Sequence, residues 1–541
     1  MAVSGHIDRF AQEHLPAPQD MPEFRFDLPT LHYRDQINAA EYFVDRHVSS
    51  GHGTRRAILA PDGTAWTYAD LYAASNKIAN VLVEDFGIVP GARVLLRSPN
   101  TPMLAACWFA VLKAGAIAVT TMPLYRSTEL RHICEKARVS LALCDARLGG
   151  EMQAALDQGT PVNVAYFQTD ASDGIETRMQ TKAAQFSNVG TAAEDVAIIG
   201  FTSGTTGTPK AAMHFHRDLL AICDTYGSLV LQPLADDVFC GSPPIAFTFG
   251  LGGLLLFPLY KGAATLLLEK AGPEDLLRNI EACGVTTLFT APLAYRAMTA
   301  IASSYDLRSL RTCVSAGETL PRPVFTGWQE QTGLAILDGI GSTEMLHIFL
   351  GSTQERVRAG STGEVVPGYV AEIHDDEGRP LPDGEIGRLA VKGPTGCKYL
   401  ADERQRSYVH NGWNYPGDAY RRDADGYFYY VARTDDMIVS AGFNVSGPEV
   451  EQAMLAHDHV KECAVVAKPD LLHETHIVKA YVVLIDGIDA CDEKDLELRE
   501  HCKALIAPFK APREIEFVAA LPRTETGKVQ RYKLRQRASA E

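Results

Sequence analysis

The stretch Ile198–Lys210, IIGFTSGTTGTPK, decides how the rest of the chain is interpreted. Its first residues, Ile198–Phe201, are apolar and typical of a buried strand, and they run directly into a loop of glycine, serine and threonine that ends in Pro209 and Lys210. Glycines let backbone N–H groups approach an anion closely, hydroxyl groups donate hydrogen bonds, and the lysine adds positive charge. The stretch therefore predicts a strand followed by a phosphate-binding loop, with a polar surface loop as the other interpretation.

The spacing of this loop differs from that of the P-loop nucleotidases. Their pattern needs four residues between its two glycines and then Gly-Lys-Ser/Thr. Here two residues separate Gly204 from Gly207, and Lys210 follows a proline. A kinase or ATPase that transfers the γ-phosphate and releases ADP is therefore disfavoured.

Composition limits the classes of protein that need to be considered. The chain has 541 residues, which predicts two or more domains. A net charge of -16 argues against a nucleic-acid partner or an anionic membrane. The 11 cysteines form no CxxC pair, and the N-terminus has no apolar signal region, so we expect a reducing compartment, the cytoplasm. The most apolar stretches, 105–124 and 249–268, contain Lys113 and Lys261, which favours buried elements over membrane spans.

Segments typical of helices and of strands alternate along the first part of the chain. Ala69–Glu84 and Leu104–Ala114 have the pattern of helices, and short apolar strands lie between such segments. This alternation favours parallel sheets covered by helices. After about residue 360 the pattern becomes rich in strands and turns, and the last hundred residues indicate a small α+β unit. We therefore predict a boundary between domains near Arg433–Asp436.

Further short motifs follow the loop in a fixed order, and together they span most of the chain from about residue 200. They are Ser315-Ala316-Gly317-Glu318, Gly341-Ser342-Thr343-Glu344, Tyr415-Pro416-Gly417-Asp418, Arg433-Thr434-Asp435-Asp436, Ser440-Ala441-Gly442-Phe443-Asn444 and Pro522-Arg523-Thr524-Glu525-Thr526-Gly527-Lys528. With these motifs the chain resembles the adenylate-forming superfamily, which contains acyl- and aryl-CoA synthetases, carrier-protein adenylation domains and firefly-type luciferases.

The resemblance implies a fold and a division of the chain. The implied class is α/β, with a large N-terminal adenylation domain over 1–434 that is built from α/β subdomains and a distorted β-barrel. A small mobile α+β domain over 435–541 follows, and Asp435 occupies the position of the hinge. A turn or helix cap is the other interpretation of Asp435.

The resemblance also implies a nucleotide site and its chemistry. Attack of a carboxylate on the α-phosphorus of ATP brings two anions together, so the site must neutralise charge. Glu344 resembles the Mg²⁺ ligand of the family, Thr343 would contact the α-phosphate, and Lys528 would bridge the carboxylate and the α-phosphate. Asp418 would accept both ribose hydroxyls, which two carboxylate oxygens can do. The nucleotide-binding residues implied are Thr202, Ser203, Gly204, Thr205, Thr206, Gly207, Lys210, Gly317, Glu318, Asp338, Gly339, Ile340, Asp418 and Arg433.

A second half-reaction would transfer the acyl group to a thiol. In the family the C-terminal domain rotates after adenylation, which removes the lysine and opens a tunnel for the thiol. The residues implied at this tunnel are Ser440, Ala441 and Gly442. Coenzyme A is favoured as the thiol because the chain ends about a dozen residues after Lys528, without a fused carrier domain.

The acid pocket is predicted from Phe247, Gly341 and His347, and the segment around His347 looks like the benzoate and 2-aminobenzoate CoA ligases. Phe247 and His347 are each interpreted equally well as ordinary core residues. The sequence therefore favours an aryl-CoA ligase that uses ATP, Mg²⁺, coenzyme A and a small aromatic acid in the catabolism of aromatic compounds, and a homodimer is compatible with it. A medium-chain acyl-CoA synthetase, an enzyme that loads a separate carrier protein, a luciferase-like oxygenase and a binding protein without activity are the alternatives.

Overall fold

The computed structural model of the chain describes residues 3–202, 209–434, 437–440, 443–470, 475–523 and 527–540. The chain forms two compact units, one of Met1–Ala371 with Val391–Asn414, and one of Glu372–Ala390 with Tyr415–Glu541. The second unit thus includes strands that precede the predicted boundary at 434/435. That boundary was placed at a hinge on Asp435, which lies outside the described residues, and it stays a prediction.

One sheet of the first unit carries the strand before the glycine-rich loop. Its strands pair in parallel except for the last, which is antiparallel to its neighbour. Most of its strands are buried along their length, as expected where helices cover both faces. In spatial order the described strands are Asn163–Phe167, Leu141–Asp145, Arg93–Arg97, Ile117–Thr121, Val196–Thr202 and Lys210–Phe215.

A second sheet of the first unit carries two of the predicted motifs at the ends of neighbouring strands. Thr312–Ala316 and Ile336–Gly341 are parallel, with Ala316 opposite Gly339, so Gly317 and Gly341 leave the sheet at the same edge. Ligands bind at the carboxyl ends of strands in open α/β sheets. In spatial order the described strands are Glu364–Val365, Ile348–Gly351, Ile336–Gly341, Thr312–Ala316, Thr287–Thr290, Val238–Gly241, Ala264–Leu266, Arg56–Leu59 and Ala65–Thr67.

The helices of the first unit follow the predicted alternation. The helix predicted over Ala69–Glu84 runs over Tyr68–Asn80 and continues as a π-turn to Asp85, and Thr67 caps its start through a capping box with Asp70. The α-helices are Phe10–Glu13, Arg46–Ser49, Tyr68–Asn80, Pro102–Lys113, Ser127–Ala137, Gly149–Asp157, Ile175–Met179, His216–Ile222, Thr248–Leu251, Phe257–Lys261, Pro273–Cys283, Pro292–Thr299, Arg322–Thr332 and Gln405–Tyr408. The π-helical segments are Glu41–Asp45, Val81–Asp85, Cys223–Leu231 and Gly252–Leu256. No helix among the described residues is long and apolar enough to cross a membrane.

The second unit combines antiparallel strands with a small α+β core. Ile438, Val465 and Leu498 belong to that core, which joins strands to the long helix. The strands from residue 370 onward are Val370–His374, Ile386–Lys392, Val409–His410, Trp413–Asn414, Asp418–Arg422, Phe428–Arg433, Met437–Ser440, Phe443–Ser446, Val460–Asp470, Thr475–Leu484 and Glu514–Phe517. Of these, residues 370–371 and 391–392 and the short strands 409–410 and 413–414 belong to the first unit. The helices are Gly447–Leu455, Asp492–Leu505 and Arg531–Ala540.

Candidate active site

The two ends of the glycine-rich loop lie on two paired strands. Val196–Thr202 pairs antiparallel with Lys210–Phe215, and Thr202 lies opposite Lys210. The predicted strand and the start and end of the loop are therefore where the sequence placed them. The predicted loop residues Ser203, Gly204, Thr205, Thr206 and Gly207 lie outside the described residues, and their roles stay predictions.

The turn that carries Thr343 and Glu344 is tightly built. A Cβ on Gly341 would lie 2.5 Å from the carbonyl oxygen of His347, so the backbone approaches itself too closely for any side chain. The Leu346 N–H donates to the Thr343 carbonyl at 3.2 Å, and Leu346 has a φ of 71°. Left-handed backbone in a branched residue costs free energy and persists only where the surroundings impose it. The conformation of this turn is therefore stabilised by contacts with surrounding residues rather than by the backbone preferences of its own residues.

Glu344 is almost fully buried, and its carboxylate has a specific partner. The Tyr399 hydroxyl donates to Glu344 Oε1 at 2.5 Å, and the Lys210 ammonium donates to the same hydroxyl oxygen at 3.3 Å. Burial, followed by the charge of Glu344, raises the pKa of Tyr399 far above its usual range, so the hydroxyl keeps its proton. The lysine at the end of the loop and the predicted metal ligand are thus joined through one hydroxyl group.

Four successive residues of the turn each contact a side chain from elsewhere in the first unit. Besides Tyr399 on Glu344, the contacts are Tyr408 Oη to Ser342 Oγ at 3.0 Å, His214 Nε2 to the Thr343 carbonyl at 2.7 Å, and Thr395 Oγ1 to the Met345 carbonyl at 2.8 Å. Sequence analysis missed all four side chains. Tyr399 lies in the segment Cys397–Leu400, which includes Lys398 and has no sequence pattern that marks it. This segment pairs with the strand after the loop through Lys398 O and Leu400 N.

The residues predicted beside the adenine lie on the two parallel strands described above. Asp338 is opposite Ser315, and Gly317 has a φ of 90°, which favours glycine. Asp338 Oδ1 is buried and has no hydrogen-bond partner among the described residues. Burial raises the pKa of Asp338 well above its usual range. Gly339 and Ile340 continue the same strand, and Glu318 is exposed at the following turn.

The predicted acid pocket contains an aromatic cluster around His347. The His347 ring lies 4.6 Å from Phe257, 5.3 Å from Tyr226 and 5.9 Å from Phe249, as centroid distances. Neither ring nitrogen makes a hydrogen bond of ordinary geometry within the described residues. Burial lowers the pKa of His347 to about 3, although the Phe249 backbone opposes this effect, so the ring is neutral at physiological pH.

Phe247, the aromatic residue predicted for this pocket, is not in the cluster. It is half-buried and precedes the helix Thr248–Leu251, while Phe249, two residues later, contacts His347. Both phenylalanines are partly buried, and the role of Phe247 in the acid pocket stays a prediction. Gly252 completes the cluster, because a Cβ there would lie 2.3 Å from the His347 ring.

In the second unit, the two residues predicted at the ribose contact each other. Asp418 and Arg433 are opposite one another in an antiparallel pair, and Arg433 Nη1 donates to Asp418 Oδ2 at 3.1 Å and to the Pro416 carbonyl at 2.8 Å. Gly417 has a φ of 86°, and a Cβ there would lie 2.6 Å from the guanidinium of Arg433. The glycine of this motif therefore makes room for the arginine.

The remaining predicted residues lie in the later part of the second unit. Lys528 is exposed and follows Gly527, which has a φ of 86°. Ser440 is buried at the end of the strand Met437–Ser440. Asp435, Ala441 and Gly442 lie outside the described residues, and the hinge and the thiol tunnel stay predictions.

One group of potential metal ligands in the described residues lies away from these motifs. Atoms of His457, His459 and Glu497 lie within 4.8 Å of one another. The Lys494 ammonium already donates to His459 Nδ1 at 2.8 Å and to Glu497 Oε2 at 2.5 Å. Because a cation already stands among these atoms, we assign no metal to the group.

Two known protein families match the sequence of this chain. The family "AMP-binding enzyme" matches residues 45–399, and "AMP-binding enzyme C-terminal domain" matches residues 449–528. Every motif from the glycine-rich loop to Glu344 falls in the first match, and Ser440 and the ribose pair fall between the two.

Individual proteins show the same similarity over nearly the whole chain. A benzoate–CoA ligase of Thauera aromatica is 32% identical over 517 residues, which are 94% of this chain and 97% of that protein. The structure of an anthranilate CoA ligase in complex with anthranoyl-AMP superposes with a TM-score of 0.88 at 32% identity and covers 94% of this chain and 99% of that one. A benzoate CoA ligase from Burkholderia xenovorans gives 0.82 at 30% identity, over 92% and 99% of the two chains. These similarities confirm the predicted fold class.

Proposed function

The chain belongs to the AMP-binding enzyme family, and on that premise we propose that it joins an aromatic carboxylic acid to coenzyme A through an acyl-adenylate. The predicted enzyme class, an AMP-forming acid–thiol ligase, agrees with that membership. The observation that carries the proposal is the shared Tyr399 hydroxyl, which joins Lys210 of the phosphate loop to Glu344. The lysine is suited to bind the triphosphate of ATP, and the carboxylate beside it is suited to bind the counterion of that triphosphate.

In the proposed first step, a carboxylate oxygen of the acid bonds to the α-phosphorus and the bond from that phosphorus to the β-phosphate oxygen breaks. Pyrophosphate leaves. Lys210 and the loop bind the leaving phosphates, Thr343 contacts the α-phosphate, and Lys528 offsets the charge between the carboxylate and the phosphate. In the second step the sulfur of coenzyme A bonds to the acyl carbon, its proton passes to solvent, and the bond to AMP breaks.

Glu344 fits the proposed role of Mg²⁺ ligand. The Tyr399 hydroxyl donates a hydrogen bond to one carboxylate oxygen, Oε1. The other oxygen, Oε2, accepts no hydrogen bond from the described residues. Mg²⁺ prefers one or two carboxylate oxygens together with phosphate oxygens and water, and one protein ligand is sufficient for that preference. Bound there, the metal would supply positive charge to the phosphates.

The His347 cluster supports an aromatic acid as the substrate. Its members are aromatic rings, and besides the Tyr226 hydroxyl its polar group is the His347 imidazole, which is neutral and lacks a hydrogen-bond partner among the described residues. Aromatic walls with one or two placed polar groups are typical of small-molecule sites. Benzoate and 2-aminobenzoate fit this description, whereas a medium-chain acid would need no polar group.

AMP formation with Mg·ATP and coenzyme A tests the proposal across benzoate, 2-aminobenzoate, hydroxybenzoates, phenylacetate, hexanoate and acetate. We expect turnover of benzoate or 2-aminobenzoate to exceed that of hexanoate by at least about tenfold, since a few methylene or ring contacts are worth about 1–3 kcal/mol. Preference for hexanoate would be consistent with the proposed enzyme class but would contradict the proposed pocket for an aromatic acid. ADP as the product would overturn the class.

His347→Phe tests how the pocket recognises a ring substituent. The variant keeps an aromatic ring and removes both ring nitrogens. If His347 binds the amino group of 2-aminobenzoate, kcat/KM for this acid should fall about tenfold, which is the upper range for one neutral hydrogen bond, while benzoate changes little. Equal losses for the two acids would contradict the role of His347 and leave it as a core residue. His132→Phe is the matched control, because His132 also has a buried ring nitrogen without a partner among the described residues and has no predicted role in the acid pocket.

The remaining predictions extend the same proposal. We assign the hinge to Asp435, the coenzyme A tunnel to Ser440, Ala441 and Gly442, and the ribose to Asp418 with Arg433. The division at 434/435 follows from the hinge. A homodimer and a cytoplasmic location stay predictions.

A further inference from the structure

Three charged or polar side chains form a continuous chain of contacts beneath Thr343. Lys398 Nζ donates to Asp218 Oδ2 at 2.9 Å, Asp218 Oδ2 lies 3.6 Å from His214 Nδ1, and His214 Nε2 lies 2.7 Å from the Thr343 carbonyl oxygen. All three side chains are completely buried. Even a paired charge loses its hydration when it is completely buried, so this arrangement needs a reason.

The hydrogen bond to Thr343 fixes the protonation of His214. A carbonyl oxygen only accepts, so Nε2 carries the hydrogen. Burial lowers the pKa of His214, and Asp218, whose Oδ2 lies beside Nδ1, opposes this effect. Burial alone would raise the pKa of Asp218, but Lys398 and His214 lower it far below its usual range, so the carboxylate is charged.

Neighbouring groups keep Lys398 and Asp218 in place. The Phe215 N–H donates to Asp218 Oδ2 at 3.0 Å, and the Lys398 ammonium lies 4.5 Å from the Phe215 ring and 5.0 Å from the Phe24 ring. Arg217 Nε stands 3.9 Å from the second oxygen of Asp218. Within the described residues these groups hold Lys398 and Asp218, and the contact of the chain with the Thr343–Glu344 turn is the Thr343 carbonyl.

We propose that Lys398, Asp218 and His214 act as positioning residues, which hold the Thr343 carbonyl so that Thr343 and Glu344 meet ATP in the geometry that adenylation needs. The inference rests on the proposed roles of Thr343 and Glu344. The Thr343 carbonyl and the Glu344 N–H belong to one rigid peptide plane, so a donor on that oxygen also orients Glu344. The same oxygen closes the strained turn at Leu346, which needs external support.

The test separates the two half-reactions in the full-length enzyme. Pyrophosphate release reports adenylation, and thioester formation from supplied aroyl-adenylate reports the second step. For His214→Phe and Lys398→Met we expect kcat for adenylation to fall about 10–100-fold, as for other residues that orient a ligand, while the second step stays within about threefold. His214→Gln offers an amide N–H in place of Nε2–H and should recover most of the loss.

Lys113→Met is the matched control. Lys113 is also completely buried, and it pairs with Asp45 and Asn76 away from the predicted site. Its loss should lower thermal stability without changing the ratio of the two half-reactions. Asp218→Asn, which keeps an acceptor for the Phe215 N–H, replaces Lys398→Met if that variant does not fold.

Three outcomes would overturn the inference. They are equal losses in both half-reactions for His214→Phe, a selective loss for Lys113→Met, or no recovery with His214→Gln. Thr343→Ala and Glu344→Gln show which idea has failed. If these two variants slow adenylation and His214→Phe does not, only the positioning role is wrong, whereas normal adenylation in both would overturn the proposed site itself.

Discussion

Lys528→Ala is expected to stop formation of the acyl-adenylate while leaving the second half-reaction largely intact. In the proposed mechanism the ammonium offsets the charge that develops between the incoming carboxylate and the α-phosphate. Removing one such group from a site preorganised for developing charge costs about 10²–10³ in rate. Once the adenylate exists, that lysine has no further role, so the thioester should form at a rate near that of the unchanged enzyme.

Pyrophosphate release and thioester formation from supplied aroyl-adenylate measure the two steps separately. Lys533→Ala is the control, because Lys533 is also exposed and lies five residues further along. Adenylation at the original rate in Lys528→Ala would remove Lys528 from the mechanism. A comparable loss in both steps would indicate damage to the second unit as a whole.

The parts of the site that sequence analysis predicted are those that local chemistry requires. Gly341 and Gly417 stand where a Cβ would strike backbone or guanidinium atoms, and Gly317 has a positive φ. Such positions can be predicted from sequence because glycine is the residue that fits them without a steric clash or backbone strain. The strand before the loop can also be predicted from sequence. A short apolar run followed by glycine and hydroxyl residues is typical of a buried strand that leads into a phosphate-binding loop.

The partners of the Thr343–Glu344 turn could not be predicted because nothing local marks them. Tyr399 and Lys398 are adjacent in an extended segment and point to different partners, Glu344 and Asp218, which are 55 and 180 residues away. In a sequence, a lysine beside a tyrosine is most simply a surface pair. Only the tertiary fold shows that the lysine is completely buried and that its charge is offset by Asp218.

Phe247 shows the opposite limit. The choice between two phenylalanines depends on where a helix begins, and the helix Thr248–Leu251 begins directly after Phe247. Two residues further along the chain, Phe249 lies beside His347, whereas the place of Phe247 in the acid pocket stays a prediction. Patterns in sequence predict the presence of such a helix more reliably than its first residue.

Glu344→Gln is expected to lower the rate of adenylation by about 10²–10³ and to raise the concentration of Mg²⁺ that is needed. The glutamine has the same shape and keeps an oxygen for the Tyr399 hydroxyl, so the turn should keep its fold. The charge toward the metal is lost, however, and an amide nitrogen is a donor rather than a ligand. Pyrophosphate release measured against Mg²⁺ concentration checks this, with Glu364→Gln as a control in which a more exposed carboxylate is neutralised.

Tyr399→Phe shows whether the shared hydroxyl acts through Glu344. On its own it removes one hydrogen bond from a buried carboxylate, and adenylation should fall about 10–100-fold, since a hydrogen bond to a charged group is worth about 1.5–3 kcal/mol. In the Glu344→Gln background the same change should cost much less, because a neutral side chain needs the donor less. Additive losses would mean that Tyr399 serves Lys210 instead, and the link between the phosphate loop and the metal ligand would then have to be abandoned.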